Sequence, residues 1–233
     1  LVLGDKDTTA PFVSLLEPRV HHVSRRLDDS SYDYVVIPVL TKKVLRMFQG
    51  NLQAMFHTLT ETWLKKGGSI LIGLENALDL DRLTTGDRKE DTVYLRWSEL
   101  ENLRESLGKE QPNRKETLYY VTPDLRVPLH FYSDARMPEL SEEDEKTALL
   151  IEENRFREFA PAYLYIYQPD GSVRPKVRDY RRFRPDYIKY NSTRKPEYAI
   201  KTLLYRDDQG KRFAVKAGTT PAANAHIESL SEK

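Results

Sequence analysis

Basic and aromatic side chains are interleaved between Arg174 and Lys195. Of all residues in the chain, these are the strongest candidates for binding a ligand. This stretch, the basic segment, contains nine Lys or Arg, two acidic residues and four aromatic ones. Cations bind phosphates by displacing their counterions, and flat aromatic rings stack on unpaired bases. Arg outnumbers Lys by six to three, which favours bidentate contact with phosphate. The pattern therefore predicts binding of a nucleic acid, with single-stranded DNA or RNA favoured.

Phosphate contacts are expected from the basic side chains of this segment, and base stacking from its aromatic ones. The candidate nucleic-acid-binding residues are Arg174, Lys176, Arg178, Tyr180, Arg181, Arg182, Phe183, Arg184, Tyr187, Lys189, Tyr190, Arg194 and Lys195. Contacts with phosphates and base faces carry little sequence information, so low sequence specificity is expected. The resulting hypothesis is a non-enzymatic nucleic-acid-binding subunit of a larger assembly.

Charge is segregated along the chain although its total is near zero. The 233 residues contain 37 Lys and Arg against 36 Asp and Glu, which gives a formal net charge of +1. Residues 161–217 carry a net charge of +8, whereas residues 138–160 carry a net charge of −5. Such asymmetry between parts of a chain indicates an electrostatic partner.

An acidic protein surface is the alternative partner for the basic segment. The chain would then be a scaffold or assembly protein that docks on such a surface, for example the 139–153 helix of a neighbouring copy in a homo-oligomer. Arg and Tyr are also enriched as anchors of protein interfaces. A third interpretation is structural, because Tyr and Phe on strands commonly pack in the core.

Acidic side chains follow the second predicted strand and suggest a distant third function, a metal-dependent nuclease. These carboxylates are Glu75, Asp79, Asp81, Glu90 and Asp91, with Lys89 close by in the sequence. Carboxylate oxygens are suitable ligands for Mg²⁺ in phosphodiester chemistry. The run from Asp79 to Arg82 is nevertheless typical of a turn, so no metal ligand is predicted here.

The sequence lacks the residues that define several classes of enzyme. Cysteine is absent, which excludes disulfides, thiolate ligands and a thiol nucleophile. The five histidines show no metal-binding spacing, and the P-loop, dinucleotide-binding and hydrolase-elbow motifs do not occur. The sequence therefore predicts no cofactor, no resident metal and no catalytic residue.

Composition indicates a soluble globular protein with one large core or two small ones. Hydrophobic residues make up 39% of the chain and charged residues 31%. The longest uncharged stretch, from Met47 to Thr60, is shorter than the roughly 20 apolar residues of a membrane span. The chain begins at Leu1, as expected of a processed chain or a fragment. No localisation signal is identified, and a cytoplasmic location is slightly favoured.

The predicted fold class is α+β, with a mixed sheet packed by one long amphipathic helix and followed by a smaller, basic unit rich in β-hairpins. The predicted organisation is an extended arm over 1–33, an α+β unit over 34–137, an acidic linking helix over 138–160, a β-rich basic Tyr/Arg unit over 161–217 and a flexible tail over 218–233.

Hydrophobic periodicity predicts the individual elements. A strand over 34–40 precedes the long helix over 42–66, which two glycines would end. Strands over 69–74 and 92–97 are predicted to form a hairpin, and Ser98 with Glu101 to cap a helix that ends at Gly108. The later predicted elements are strands over 118–121 and 127–132, a helix over 141–159, a strand over 162–168 and a hairpin of 198–205 with 212–216.

Overall fold

The computed structural model describes residues 1–4, 9, 23–24, 26–27, 30–126, 128–138, 145–171, 185–191, 195–206, 209–218 and 220–231. Within these residues the strands are β1 Tyr32–Ile37, β2 Leu64–Asn76, β3 Tyr94–Leu95, β4 Lys115–Thr122, β5 His130–Tyr132, β6 Ala162–Gln168, β7 Tyr187–Tyr190, β8 Ile200–Arg206 and β9 Arg212–Gly218. The α-helices are α1 Lys42–Arg46, α2 Leu52–Thr58, α3 Leu80–Thr85, α4 Trp97–Glu110, α5 Glu145–Glu152, α6 Phe156–Phe159 and α7 Pro221–Ser231.

All nine described strands belong to one mixed sheet. Its order is β1-β2-β6-β4-β5-β7-β8-β9, and the short β3 pairs with β2 beside this path. β2 runs parallel to β1 and β3, while every later pair is antiparallel. The mixed sheet with helices agrees with the predicted fold class, and β9 is at the edge of the described sheet.

The expected single long helix after β1 is not observed. α1 ends in a Schellman motif, in which Gln49 adopts a left-handed φ of 58° and the Gly50 amide donates to the Leu45 carbonyl at 3.0 Å. Asn51 then starts α2, because its side chain accepts from the Ala54 amide at 3.0 Å. A π-helical turn over Leu59–Trp63 follows, and β2 begins at Leu64.

The apolar periodicity of this region still identifies the buried positions. Val44, Phe48, Met55, Phe56 and Leu59 all lie in the core cluster. The apolar pattern therefore predicts which side chains are buried. It does not predict the helix break, because the left-handed Gln49 hardly disturbs the spacing of the apolar residues.

The hairpin predicted for residues 69–97 is wrong. Glu75 pairs with Tyr94 and Asn76 with Leu95 in a parallel register. A parallel pair needs a crossover connection, which α3 supplies between the two strands.

The capping box predicted for the next helix is displaced by two residues. The backbone amide of Arg96 donates to Oε2 of Glu99 at 2.7 Å, so α4 begins at Trp97. α4 continues through Gly108 to Glu110. Gly108 serves close packing, because a Cβ there would lie 2.5 Å from Nη1 of Arg114.

The acidic helix predicted over 141–159 is divided. Residues 139–144 are outside the described residues, and a second Schellman motif separates α5 from α6. Asn154 has a φ of 55°, and the Arg155 amide donates to the Leu150 carbonyl at 2.7 Å. The described part of the predicted helix therefore consists of two short helices.

The strand predicted over 162–168 is confirmed as β6, and it occupies the middle of the sheet between β2 and β4. Its three tyrosines, Tyr163, Tyr165 and Tyr167, are buried on the face that the helices cover. The Tyr165 hydroxyl donates to Oε2 of Glu116 at 2.8 Å, and the Tyr163 hydroxyl donates to the Arg157 carbonyl at 2.9 Å. These tyrosines therefore explain part of the Tyr enrichment of residues 161–217 by core packing.

The two ends of the chain contain more structure than the expected arm and tail. Near the first residue, Val2 forms a parallel bridge with Val36 of β1 and is buried. Near the last, Thr220 caps α7 by accepting from the Ala223 amide at 3.1 Å, and the buried Ala223 lets the helix approach β9 closely. No helix in the described part of the chain is long and apolar enough to cross a membrane.

Candidate nucleic-acid interface

The predicted contact residues are described only in part. Outside the described residues lie Arg174, Lys176, Arg178, Tyr180, Arg181, Arg182, Phe183, Arg184 and Arg194. Tyr187, Lys189 and Tyr190 lie on β7, and Lys195 precedes a short 3₁₀ turn over Pro196–Tyr198. The described part of the candidate interface is therefore β7 with the strands beside it.

Tyr187 is buried and does not present its ring to solvent. Its hydroxyl is 2.7 Å from Nδ1 of His130, and its ring centroid is 5.1 Å from that of Tyr132. Its side chain belongs to the same core cluster as Phe156 of α6. The expectation that Tyr187 stacks on a base is therefore corrected: no face of its ring is open to one.

Tyr190 and Lys189 project from opposite sides of β7 because side chains alternate along a strand. Tyr190 is half-buried, with its ring centroid 6.3 Å from that of Phe131. Burial raises the pKa of Tyr190, so its phenol is neutral at physiological pH and does not repel phosphate. Lys189 is exposed on the other side, as is Lys195 beyond the strand.

Tyr190 is part of a larger apolar surface formed by the last strands of the sheet. The register aligns Phe131, Ile188, Leu203 and Val215 in one row across β5, β7, β8 and β9. Residues two positions away on each strand share the same side of the sheet. This side, the aromatic face, comprises Phe131, Ile188, Tyr190, Leu203, Tyr205, Phe213 and Val215.

The aromatic face is partly open to solvent. Phe213 is 37% exposed and Val215 is 41% exposed, while the other members are half-buried. On the opposite side of the same sheet, the helices bury Tyr132 and Tyr187 completely or nearly so. The two sides of the sheet therefore differ, one being a packed core and the other an accessible apolar surface.

Tyr205 and Phe213 contact each other within the aromatic face. They are direct cross-strand partners, and their rings stack with centroids 5.3 Å apart and planes 17° apart. Burial raises the pKa of Tyr205, which keeps this phenol neutral as well. The stacked pair is an aromatic contact on the hairpin at the edge of the described sheet.

Basic side chains outnumber acidic ones on and around these strands. The described residues between 185 and 218 include the basic Lys189, Lys195, Lys201, Arg206, Lys211, Arg212 and Lys216, against the acidic Asp186 and Glu197. Lys201 lies on the aromatic face itself, directly opposite Tyr190. The register places the other basic residues of β7, β8 and β9 on the opposite side of the sheet.

A small cavity opens where this hairpin meets the loop after β5. Its volume is about 250 Å³, and three guanidinium groups line it, those of Arg136, Arg206 and Arg212. Asp186 is the one carboxylate among its described lining residues, and Tyr205 and Phe213 also border it. The register places Arg206 and Arg212 on the side of the sheet opposite to the Tyr205 and Phe213 rings, so the arginines of this cavity are not part of the aromatic face.

Sequence reasoning did not select Phe131, Tyr205 or Phe213 as site residues. The period-two alternation of the last hairpin contains the signal, since Leu203 and Tyr205 fall on one side of β8. The side that remains open depends on which face the helices cover, and the local pattern does not contain that information.

Glu75 at the end of β2 and Asp79 at the start of α3 are both ion-paired with Arg82. Arg82 bonds to Oε2 of Glu75, and its Nε lies 3.5 Å from Oδ2 of Asp79. Asp79 also accepts from the Asp81 amide at 3.2 Å and caps α3. Burial raises the pKa of Glu75 and of Asp79, while the Arg82 charge acts in the opposite direction.

A guanidinium therefore lies where a divalent cation would have to bridge Glu75 and Asp79. Among the described residues, no group of three or more His, Asp or Glu side chains is arranged to hold a metal ion. The described geometry thus gives no support to the nuclease alternative.

No family model, no curated protein and no solved structure matches this chain.

Proposed function

We propose that the chain binds single-stranded nucleic acid on the aromatic face, as a non-enzymatic subunit of a larger assembly. The observation that carries the proposal is the stacked and partly exposed pair of Tyr205 and Phe213, on a hairpin with an excess of basic residues. The part of the basic segment that precedes β7 in the sequence would supply further phosphate contacts.

Stacking supports a single strand over a duplex. Every base has an aromatic surface that becomes available only when the base is unstacked from its neighbours. A sheet face with exposed rings offers a platform for such bases, each stacked base contributing about 1–3 kcal/mol. The Tyr190, Tyr205 and Phe213 rings lie on one side of three consecutive strands, so one strand of nucleic acid would contact them in turn.

Charge supports a polyanion as the ligand. Seven basic and two acidic side chains occur in the described residues between 185 and 218. Lys201, opposite Tyr190, is placed to contact a phosphate between two stacked bases. Phosphate and stacking contacts of this kind discriminate weakly between bases, so the proposed binding has low sequence specificity.

Docking on an acidic protein surface remains the alternative, because α5 offers such a surface on this same chain. Glu145, Leu149 and Glu152 are exposed on α5, with Leu149 58% exposed. Between described residues, no ion pair joins α5 to the strands β7 to β9. An α5 of one copy would therefore be available to the basic segment of another.

Fluorescence anisotropy with labelled oligonucleotides of about 12 nucleotides, a length within the range of known single-strand sites, tests the proposal. Single-stranded DNA, single-stranded RNA and duplex DNA are titrated at several salt concentrations, and light scattering measures the mass of the protein alone. We expect a single strand to bind more tightly than the duplex, with log Kd rising linearly in log salt.

Two variants separate nucleic-acid binding from docking. Reversing Arg181 and Arg182 to Glu should weaken binding to all single-stranded sequences alike and flatten the salt dependence. If docking is correct, the same reversal changes the mass in solution, and reversal of Glu142 and Glu143 partly restores it. No binding at low salt, together with a stable oligomer, would contradict the proposed function.

A further inference from the structure

Backbone hydrogen bonds show which residues of β8 bond to β7 and which bond to β9. The Asn191 amide donates to the Ile200 carbonyl at 3.0 Å, and the Asp186 amide donates to the Leu204 carbonyl at 2.8 Å. Bonding direction alternates along a strand of an antiparallel sheet. The even-numbered residues of β8 therefore bond to β7, and the odd-numbered ones bond to β9.

β9 consequently has an open edge. The register pairs the odd-numbered residues of β8 with the odd-numbered residues of β9, so the backbone groups of Arg212, Ala214 and Lys216 point away from the sheet. No described residue forms a hydrogen bond with these outward groups. The open edge ends at Gly218, whose amide donates to Oδ1 of Asn224 at 2.8 Å. Such an edge is a template for pairing with another strand.

The side chains of β9 are accessible as well. Phe213 is 37% exposed and Val215 is 41% exposed on the aromatic face, and Arg212, Ala214 and Lys216 are exposed on the other side. A strand added at this edge would cover part of the two apolar side chains, and burial of apolar surface favours association.

The sequence of β9 matches a second copy of itself in one register. Antiparallel pairing centred on Val215 overlaps all seven residues of the strand. It places Ala214 opposite Lys216 and Arg212 opposite Gly218, so no like charges are directly opposed. The hydrogen-bonded pairs of this register join even-numbered residues, which are the ones whose backbone groups point outwards.

The neighbouring registers are unfavourable. Pairing centred on Ala214 places Arg212 opposite Lys216, and pairing centred on Lys216 places two copies of this lysine opposite each other. Like charges directly opposite one another destabilise a strand pair. Larger shifts shorten the overlap of the two strands.

We propose that β9 pairs with β9 of a second copy of this chain, antiparallel and about a two-fold axis at Val215. Such an interface uses the same surface on both copies, as a closed dimer requires. Residues directly opposite one another share a side of the sheet, so the aromatic faces of the two copies form one continuous surface. The inference does not depend on nucleic-acid binding.

The absence of cysteine from the chain permits a direct test with single cysteines. Val215→Cys places two thiols in a non-hydrogen-bonded pair with Cα atoms about 4.5 Å apart, which a disulfide spans. Oxidation in a glutathione buffer should convert most of this variant to a covalent dimer on a non-reducing gel.

Ala214→Cys is the matched control, because it is exposed on the neighbouring position of the same strand. In the proposed register its two copies are diagonal neighbours about 7–8 Å apart, which is too far for a disulfide. This variant should remain a single chain on the gel under the same conditions.

Ala214→Pro tests the interface without a thiol. It removes an outward amide but no hydrogen bond to β8, and an edge strand tolerates proline where its amide faces solvent. Light scattering should give the mass of two chains for the wild type and of one chain for Ala214→Pro, with circular dichroism verifying that the variant is folded. Reversal of Arg181 and Arg182 should leave this dimer intact.

Two results would overturn the proposal. Covalent dimers of Ala214→Cys in equal or greater yield than those of Val215→Cys would show that the register is wrong. A wild-type chain that scatters as a monomer, together with a Val215→Cys variant that forms no covalent dimer, would show that β9 does not pair with itself. Both results are independent of oligonucleotide affinity, so they leave the proposed function untouched.

Discussion

Tyr205 and Phe213 stack across two antiparallel strands with their ring centroids 5.3 Å apart, on the side of the sheet that the helices do not bury. On the opposite face of the sheet, Tyr187 and Tyr132 pack into the core. Aromatic residues therefore occur on both faces of this sheet, buried on one face and partly exposed on the other.

Phe213→Ala should weaken binding of single-stranded oligonucleotides about five- to twentyfold, because one stacking ring is lost. Anisotropy titration at low salt measures the change. Leu149→Ala is the control, since it truncates an exposed apolar side chain on α5 and should leave Kd unchanged. Equal effects of the two substitutions would show that the aromatic face has no special part in binding.

Tyr187→Phe should leave oligonucleotide affinity unchanged, because the ring is buried and only its hydroxyl is removed. Loss of the hydrogen bond between this hydroxyl and His130 should lower the free energy of unfolding by about 1 kcal/mol. Chemical denaturation and anisotropy on one preparation check both expectations. A large loss of affinity in a variant of normal stability would return Tyr187 to the list of stacking residues.

Lys201→Gln should lower the slope of log Kd against log salt by about one, because one phosphate contact beside Tyr190 is removed. The measurement is a titration series across salt. Lys43→Gln removes an exposed lysine from α1 and should leave the slope at the wild-type value. An unchanged slope for both variants would place the phosphate path away from the aromatic face.

Glu116→Gln should destabilise the protein at neutral pH. Burial opposes ionisation of Glu116, but hydrogen bonds from Arg104 and Tyr165 outweigh it and lower the pKa of this carboxyl. Because the pKa of Glu116 is lower in the folded than in the unfolded state, its ionisation stabilises the protein at any pH above the unfolded-state pKa. This stabilisation is lost as the pH falls through the folded-state pKa.

Urea denaturation between neutral and acidic pH measures this contribution. The wild type should lose stability as the pH falls below about 4.5, the ordinary range of a glutamate. Glu116→Gln should be less stable at neutral pH by about 1–2 kcal/mol and show a weaker acid dependence. Glu101→Gln, on the exposed side of α4, should match the wild type at every pH.

Gln49→Gly should raise the free energy of unfolding by up to about 1 kcal/mol, because glycine adopts a left-handed φ without the strain of a Cβ. Lys43→Gly within α1 should instead lower it by about 1 kcal/mol. Opposite signs at these two positions would confirm that a left-handed Gln49 separates α1 from α2. Destabilisation by both would favour the continuous helix.

The sequence predicts the strands of this fold better than its helix boundaries. Alternation of Tyr and aliphatic residues identifies β6, and the pairing of β8 with β9 follows from two alternating runs around a Gly-containing turn. Helix breaks at Gln49 and Asn154 are different, because neither residue is the glycine that usually signals a Schellman motif. Periodicity alone therefore joins helices that the chain divides.

The candidate site shows a similar limit. Charge segregation locates the basic region, because net charge is a property of sequence. Which aromatic residues are accessible depends on the sheet register and on the position of the helices, so the sequence favours the buried Tyr187 and omits Phe213.

Photo-crosslinking tests the central claim most directly, since it reports where a bound strand lies. A single-stranded oligonucleotide containing a photoreactive pyrimidine is irradiated in complex with the full chain, and the attached peptides are identified by mass spectrometry. The account predicts crosslinks on the aromatic face, foremost at Tyr205 and Phe213, that an excess of unlabelled single strand removes. Specific crosslinks confined to α1, α3 and α4, or binding with no crosslink to β7, β8 or β9, would contradict it.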